Sequence, residues 1–222
     1  MKWLKLIVLV GIGLLIVSQL ENPVIAHLTD KNWLVDYIQQ NGIHGDLIII
    51  LASMVFLALS GPKQVIALMF GYLYGIYMGS ALAVGTCLLA ASINYMMARF
   101  LLGGVLFRHF PKRMQKFTRF ASRQPFLKIL LLRLFPIGNN VVTNLLSGSV
   151  RVPVCAFFSA SFLGYLPQTI IFALMGAGIN SSSNSMIYLS IILAVVSTIL
   201  TAMIYRDHIK SRVEDLNLEE TV

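Results

Sequence analysis

Residues 47 to 206 contain no Asp or Glu side chain, although they make up most of the chain. All nine carboxylates lie outside this stretch, whereas twelve Lys or Arg residues lie inside it. The stretch also holds several long apolar runs, and 57% of the 222 residues are hydrophobic. Such runs predict an all-α, polytopic membrane protein. Its cations have no acidic side chain to pair with, so their counter-charge must come from lipid headgroups, an anionic solute, backbone carbonyls or water.

The segment 130 to 148, LLLRLFPIGNNVVTNLLSG, places polar and helix-breaking residues inside an apolar run. A charge near mid-bilayer depth costs roughly 3 kcal/mol on insertion scales, and Pro with Gly interrupts the helix that would satisfy the backbone. The pattern predicts a re-entrant or broken helix that lines a polar cavity. A cytoplasmic loop whose Arg133 reaches the headgroups is the alternative. The polar or helix-breaking residues are Arg133, Pro136, Gly138, Asn139, Asn140 and Asn144.

A second break follows residues 47 to 60, which are apolar but fall short of the roughly 20 residues that span the hydrocarbon. The chain there reads Gly61-Pro62-Lys63-Gln64, and another short apolar run, 65 to 78, comes next. Two half-length helices joined in this way predict a hairpin that enters and leaves by the same face. Two ordinary short spans with Lys63 in a loop are the alternative. Three glycines spaced by four residues predict a small-residue packing face, namely Gly71, Gly75 and Gly79.

The rest of the chain predicts the topology. Residues 1 to 46 are interpreted as a first span and an outer segment, where Trp33 and Tyr37 at helical spacing indicate an interfacial amphipathic helix or a solvated connector. Residues 47 to 180 form the membrane domain, and 181 to 222 form a last span and a tail. The loop 103 to 128 has seven basic residues and no acid, so the positive-inside rule makes it and both termini cytoplasmic.

These segments together predict an inverted repeat. One hairpin breaks at Pro62 and enters from outside, the other breaks at Pro136 and enters from inside, and each is followed by a transmembrane helix. Broken helices from opposite faces then meet near the midplane and build a substrate site.

The motifs GPKQ, FGYLYGIYMG, LLRLFPIGNNVVTNLLSG and FLGYLPQTIIFALMG occur in an order that resembles the DedA-like, VTT-domain family, also called SNARE-associated Golgi proteins. The resemblance covers residues 45 to 180. It implies two re-entrant hairpins and a role in lipid translocation, as phospholipid scramblases or in recycling a polyprenyl-phosphate carrier across the bacterial membrane. An inner-membrane location in a bacterium follows from the same resemblance.

Matched residue by residue, the first hairpin break of the family falls on Pro62 and Lys63, the Arg and Pro of the second hairpin on Arg133 and Pro136, and its closing Gly on Gly148. DedA itself carries acidic residues in and after the first hairpin and a second arginine past the Pro. This chain has no acid there and has Asn139 and Asn140 instead. It resembles the branch without those carboxylates, which argues against proton coupling.

We therefore expect movement of anionic lipids or lipid phosphates between leaflets, with membrane lipids as partners. Lys63 and Arg133 would hold a phosphate, because guanidinium offers a fixed fork of donors. A small-solute transporter using the same cavity is the alternative. We expect no cofactor, no metal and no nucleic-acid partner. We also expect no catalysis, since His109 is the only histidine between 47 and 206. A homo-oligomer is left open. The expected substrate contacts also include Asn139, Asn140, Asn144, Arg99, Arg151 and Pro136, and the structural hairpin residues are Gly61, Pro62, Gly71, Gly75, Gly138 and Gly148.

Overall fold

The computed structural model describes His27, residues 30 to 134 and residues 140 to 199. Within them the chain is built from α-helices, which confirms the all-α prediction for this part. Three segments are long and apolar enough to cross a membrane: Asn32–Ala58, Lys63–His109 and Val154–Asn180. The helices are α1 (Lys31–Ala58), α2 (Lys63–Met97, continued by a π-helical turn Ala98–Leu102), α3 (Gly103–His109), α4 (Pro111–Ser122), α5 (Pro125–Leu134), α6 (Asn140–Ser149), α7 (Val154–Asn180) and α8 (Asn184–Ile199).

Helix α2 is not straight, because the chain reverses within it at Gly75. The φ angle of Gly75 is 75°, a left-handed value that glycine adopts without steric penalty. A Cβ atom on Gly79 would overlap the Phe70 carbonyl. Nine residues of straight α-helix would separate those two positions by about 13 Å. The prediction of one packing face from evenly spaced glycines is therefore wrong, since the stripe straddles a turn.

The reversal creates a first helical hairpin, which we define as residues 43 to 74. It begins after Gly42, where α1 also has a positive φ of 52°, and its tip lies between Ala58 and Lys63. The tip is fixed by Asn94, whose side-chain amide donates to the Ala58 carbonyl at 3.2 Å. The base is closed by the Tyr74 hydroxyl, which donates to Asp46 Oδ1 at 2.7 Å.

The described residues of the predicted second hairpin form two helices, α5 and α6, with ten residues in each helix. At 1.5 Å per residue each arm is about 15 Å long, half the thickness of a bilayer core. Three residues expected at its break, Pro136, Gly138 and Asn139, lie outside the described residues. The two arms leave Arg133 at the end of one helix and Asn140 at the start of the other.

Helices α2 and α7 form the centre of the fold. Glycine lets their backbones touch, because a Cβ on Gly71 would overlap the Ala173 carbonyl and one on Gly176 would overlap that of Leu68. Gly148 of α6 approaches the Tyr95 carbonyl in the same way. Such contacts add van der Waals packing where lipid supplies no hydrophobic drive.

One segment differs from its sequence interpretation. The basic stretch 103 to 128 is interpreted as a loop, yet α3, α4 and the first turn of α5 occupy most of it. The apolar run after Pro153 forms a single helix, α7, which continues through Pro167. The outer segment does form a helix, and Trp33 and Tyr37 pack against the core. Its interfacial position stays a prediction.

Candidate functional site

A narrow cleft lies between the two hairpins and the central helices. Its empty volume is about 260 Å³, including its open side. The first hairpin contributes its tip, the later part of α2 one wall, α6 another, and α7 an aromatic ring. The lining residues are Leu57, Gly61, Lys63, Cys87, Ala90, Ala91, Asn140, Asn144 and Tyr165. The structure thus brings Lys63 together with two of the predicted asparagines.

Arg133, on the last turn of α5, is 2% exposed and stands beside this cleft. One edge of its guanidinium, Nε and Nη2, donates to Ser161 Oγ at 3.2 and 3.1 Å. The other edge donates from Nη1 to Asn140 Oδ1 at 3.2 Å and from Nη2 to Asn144 Oδ1 at 2.6 Å. Four of the five guanidinium N–H groups are therefore engaged, and all the acceptors are neutral. Arg133 ties α5 to α6 and α7 while keeping its charge.

Lys63, on the first turn of α2, is also buried, at 7% exposure. Its Nζ lies 4.9 Å from the centre of the Tyr165 ring. Among residues 30 to 134 and 140 to 199, its ammonium has neither a carboxylate partner nor a hydrogen bond. An ammonium carries three N–H donors, so Lys63 can donate hydrogen bonds to a ligand in this cleft.

Tyr165 joins the two cations. The Arg133 Cζ atom also lies 4.9 Å from the centre of its ring, so the two charges stand within about 10 Å of each other. A ring face attracts cations, and this attraction increases when the site is desolvated. This attraction does not neutralise either of the two positive charges. Since the described residues place no carboxylate in the cleft, the arrangement favours an anion that both cations can share.

Arg99 and Arg151, predicted as substrate contacts, do not line this cleft. Arg99 donates to the Tyr95 hydroxyl and, at 3.4 Å, to the Val152 carbonyl, whereas Arg151 is exposed in the turn after α6. A series of aromatic contacts connects Arg99 to Arg133 beside the cleft. Tyr95 stacks on Phe157 at 4.5 Å, and Phe157 lies 5.4 Å from Arg133 Cζ.

Three residues of the site escaped the sequence analysis: Tyr165, Ser161 and Gly164. The motif FLGYLPQ contains two of them, but only its order was used. A Cβ on Gly164 would overlap the Arg133 Cβ, so this glycine makes the space in which Arg133 reaches α7. Ser161 carries no sequence signal, because a serine in an apolar helix normally bonds to its own backbone.

No set of three or more His, Cys, Asp or Glu side chains close enough to hold a metal ion occurs in the part of the chain that the structure describes. The cleft offers an ammonium, a thiol, a phenol and two amides, and Arg133 stands next to the amides. Ammonium and guanidinium groups bind anions and repel metal ions.

Comparison with known proteins places the chain in a family. The family model of the VTT domain matches residues 61–178. The chain is 28% identical over 137 residues to Transmembrane protein 41 homolog of Caenorhabditis elegans, which covers 59% of this chain and 56% of that protein. It is 25% identical over 189 residues to the uncharacterized protein YqeD of Bacillus subtilis, covering 81% and 86%. No solved structure matches the chain. The matched domain contains both cations, the cleft and the helices that form it, and the chain is therefore an integral membrane protein that belongs to the VTT domain family.

Proposed function

We propose that this protein moves anionic lipids, phospholipids or polyprenyl phosphates, between the leaflets of a membrane by holding their phosphate at the cleft. The observation that carries the proposal is the pair of buried cations, Lys63 and Arg133. They belong to different hairpins, and both lie next to the ring of Tyr165. Two charges held in a membrane domain without an acid need an anion to offset their desolvation. A lipid phosphate supplies it while its acyl chains stay in the bilayer.

Within this site we assign different roles to the two cations. Lys63 makes the first contact, because its three donors are unoccupied among the described residues. Arg133 contributes its charge at close range, and an anion can accept from two of its N–H groups only by replacing Ser161 or an amide oxygen. Asn140 and Asn144 line the cleft, so their amides would move from Arg133 toward the phosphate as it binds.

We also propose that both hairpins are re-entrant. Each arm of the second hairpin is about 15 Å long, and the return arm of the first, from Lys63 to the reversal at Gly75, is about 18 Å, so neither crosses a core of about 30 Å. The first tip sits against Asn94 and shares the cleft with Cys87 and Asn140. The first tip thus lies next to Asn140, which flanks the second break, and such a meeting of two breaks beside a full-length helix is expected of an inverted-repeat transporter.

The decisive experiment measures translocation of a fluorescent anionic phospholipid in liposomes containing the purified protein. Lys63→Met should reduce the rate at least tenfold, whereas the control Lys63→Arg, which keeps a cation at that position, should retain much of it. A zwitterionic lipid should be less affected by either change. Equal rates in wild type and Lys63→Met, at matched protein density, would refute the phosphate site.

Transport of a small free anion through the same cleft is the second candidate, because the ammonium and amide groups of the lining can bind a free anion as well as a lipid phosphate. Uptake of labelled inorganic phosphate into the same liposomes separates the two. Uptake without lipid movement favours the solute transporter. Lipid movement that needs no pH difference across the bilayer agrees with the lack of carboxylates between residues 47 and 206.

The re-entrant arrangement has its own test. In a background without Cys87 and Cys155, a cysteine at Gln64 should react with impermeant reagents from the face opposite to the one that labels position 115. Reaction of both positions from a single face would make the first hairpin an ordinary loop.

A further inference from the structure

Helix α4 presents a basic face that the cleft does not use. Its apolar side is covered by the protein: Met114 is 1% exposed, and Phe117 and Phe120 pack against the core. Its opposite side is exposed and carries four cations and no acid. These four residues are Lys112, Arg113, Lys116 and Arg119.

Exposed apolar side chains flank this basic face at both ends. Phe107 and Phe110 precede α4 with exposures of 40% and 49%, and Phe126 and Leu127 follow it with 36% and 44%. The Arg113 guanidinium lies 5.8 Å from the Phe110 ring centre, so charge and ring are adjacent. A row of Lys and Arg between apolar side chains suits a membrane interface, where rings enter the acyl boundary and cations meet the headgroups.

The charge of this face is not balanced within the protein. None of the carboxylates in residues 30 to 134 and 140 to 199 forms an ion pair with it, and the sequence has no acid between 47 and 206. Each such basic residue near an anionic membrane surface raises the binding constant for that surface by a factor of about five. Four residues on one helix face are enough to select anionic headgroups over zwitterionic ones.

We propose that the exposed face of α4 is a docking surface for the anionic headgroups of the surrounding membrane, separate from the cleft. It gathers acidic lipid beside α5, the helix whose last turn carries Arg133. This proposal does not depend on translocation, because it concerns which lipids lie against the protein. The alternative is that this basic segment only fixes the membrane topology and has no preferred lipid.

The test uses the full chain with a fluorophore on a single cysteine at Gln115, an exposed position of α4. The protein is placed in nanodiscs of phosphatidylcholine, with or without phosphatidylglycerol, and a quencher is attached to the headgroups. We expect at least a twofold rise in quenching when phosphatidylglycerol is present. High salt should abolish the rise, since it screens exposed charges beyond a few ångströms.

Two variants and one competitor make the test decisive. K116E together with R119E should abolish the rise, whereas the charge-conserving K116R should keep it, and both should elute as folded protein from gel filtration. Quenching that is equal in the two lipid mixtures would overturn the proposal. So would a salt-sensitive spectral change caused by a single-stranded RNA and not by phosphatidylglycerol, which would make the partner a soluble polyanion. Because no transport is measured, failure here leaves the proposed function standing, and the reverse also holds.

Discussion

The two hairpins each bury one cation next to their break, but they hold it in different ways. Arg133 makes four hydrogen bonds to neutral oxygens on α6 and α7, whereas Lys63 touches a ring and has no hydrogen bond among the described residues. The difference teaches that burial and charge alone do not identify a ligand-binding residue. The number of unused donors is a further criterion, because a cation with four of its five N–H groups engaged must break bonds before it can hold an anion with two donors. We therefore expect Arg133 to act chiefly as an anchor and Lys63 chiefly as the contact for an anion.

The comparison is tested most strongly by removing each cation in turn. Arg133→Gln should lower the free energy of unfolding by about 2 to 6 kcal/mol, because two buried acceptors, Ser161 and Asn144, lose a charged donor at about 1–3 kcal/mol each. Lys63→Gln should leave it unchanged or raise it, since burying an ammonium without a hydrogen bond costs free energy that the neutral side chain does not cost. Unfolding in detergent as denaturant is added measures both. The comparison breaks if Lys63→Gln proves the more destabilising change.

Arg133→Lys sharpens the same point, because it keeps the charge and loses the fork. We expect an intermediate loss of stability, with a translocation rate per folded molecule above that of Lys63→Met. A rate near zero for fully folded Arg133→Lys protein would show instead that the fork itself binds the phosphate.

The second hairpin depends on Gly164, which makes room for the Arg133 side chain. Gly164→Ala should lower the free energy of unfolding by about 1–3 kcal/mol through overpacking. Gly85→Ala is the matched control, because nothing lies within 4 Å of a Cβ at that position of α2. The control should be neutral or stabilising by up to about 1 kcal/mol. Similar losses in both variants would point to a general intolerance of alanine and not to the Arg133 contact.

The first hairpin depends on backbone conformation at Gly75. Gly75→Ala places a side chain at φ 75°, so we expect a loss of about 1–2 kcal/mol although nothing lies within 4 Å of the added Cβ. Gly104→Ala, also in free space, has an ordinary helical backbone and serves as its control. A neutral Gly75→Ala would mean that the reversal is not fixed there.

The smallest effect concerns the base of the first hairpin. Tyr74→Phe removes one hydrogen bond to Asp46 and should lower the free energy of unfolding by about 0.5–1.5 kcal/mol. Tyr77→Phe, a tyrosine that is 90% exposed, should have no measurable effect. If the two variants are equally stable, the Asp46 contact does not hold the hairpin closed.

Several features were predictable because they depend on local patterns. Short apolar runs around Gly-Pro and the polar run after Arg133 marked the two breaks, and the predicted cations, Lys63 and Arg133, do lie together. The reversal at Gly75 was missed, since a glycine repeat reads equally well as a packing stripe. The helices in the basic stretch were also missed, because charge dominated the interpretation of residues 103 to 128.

What the sequence determined by itself is the membrane class, the two breaks between short helices and the shortage of acids, since hydropathy, helix breakers and charge act over a few residues each. Only the tertiary structure decided which cation is free. That outcome depends on Ser161, Gly164 and Tyr165 of α7, which lie about thirty residues from Arg133 and about one hundred from Lys63 along the chain. Hydrogen bonds engage four of the five N–H groups of Arg133, whereas Lys63 faces a cleft, and this difference exists only after distant helices have packed.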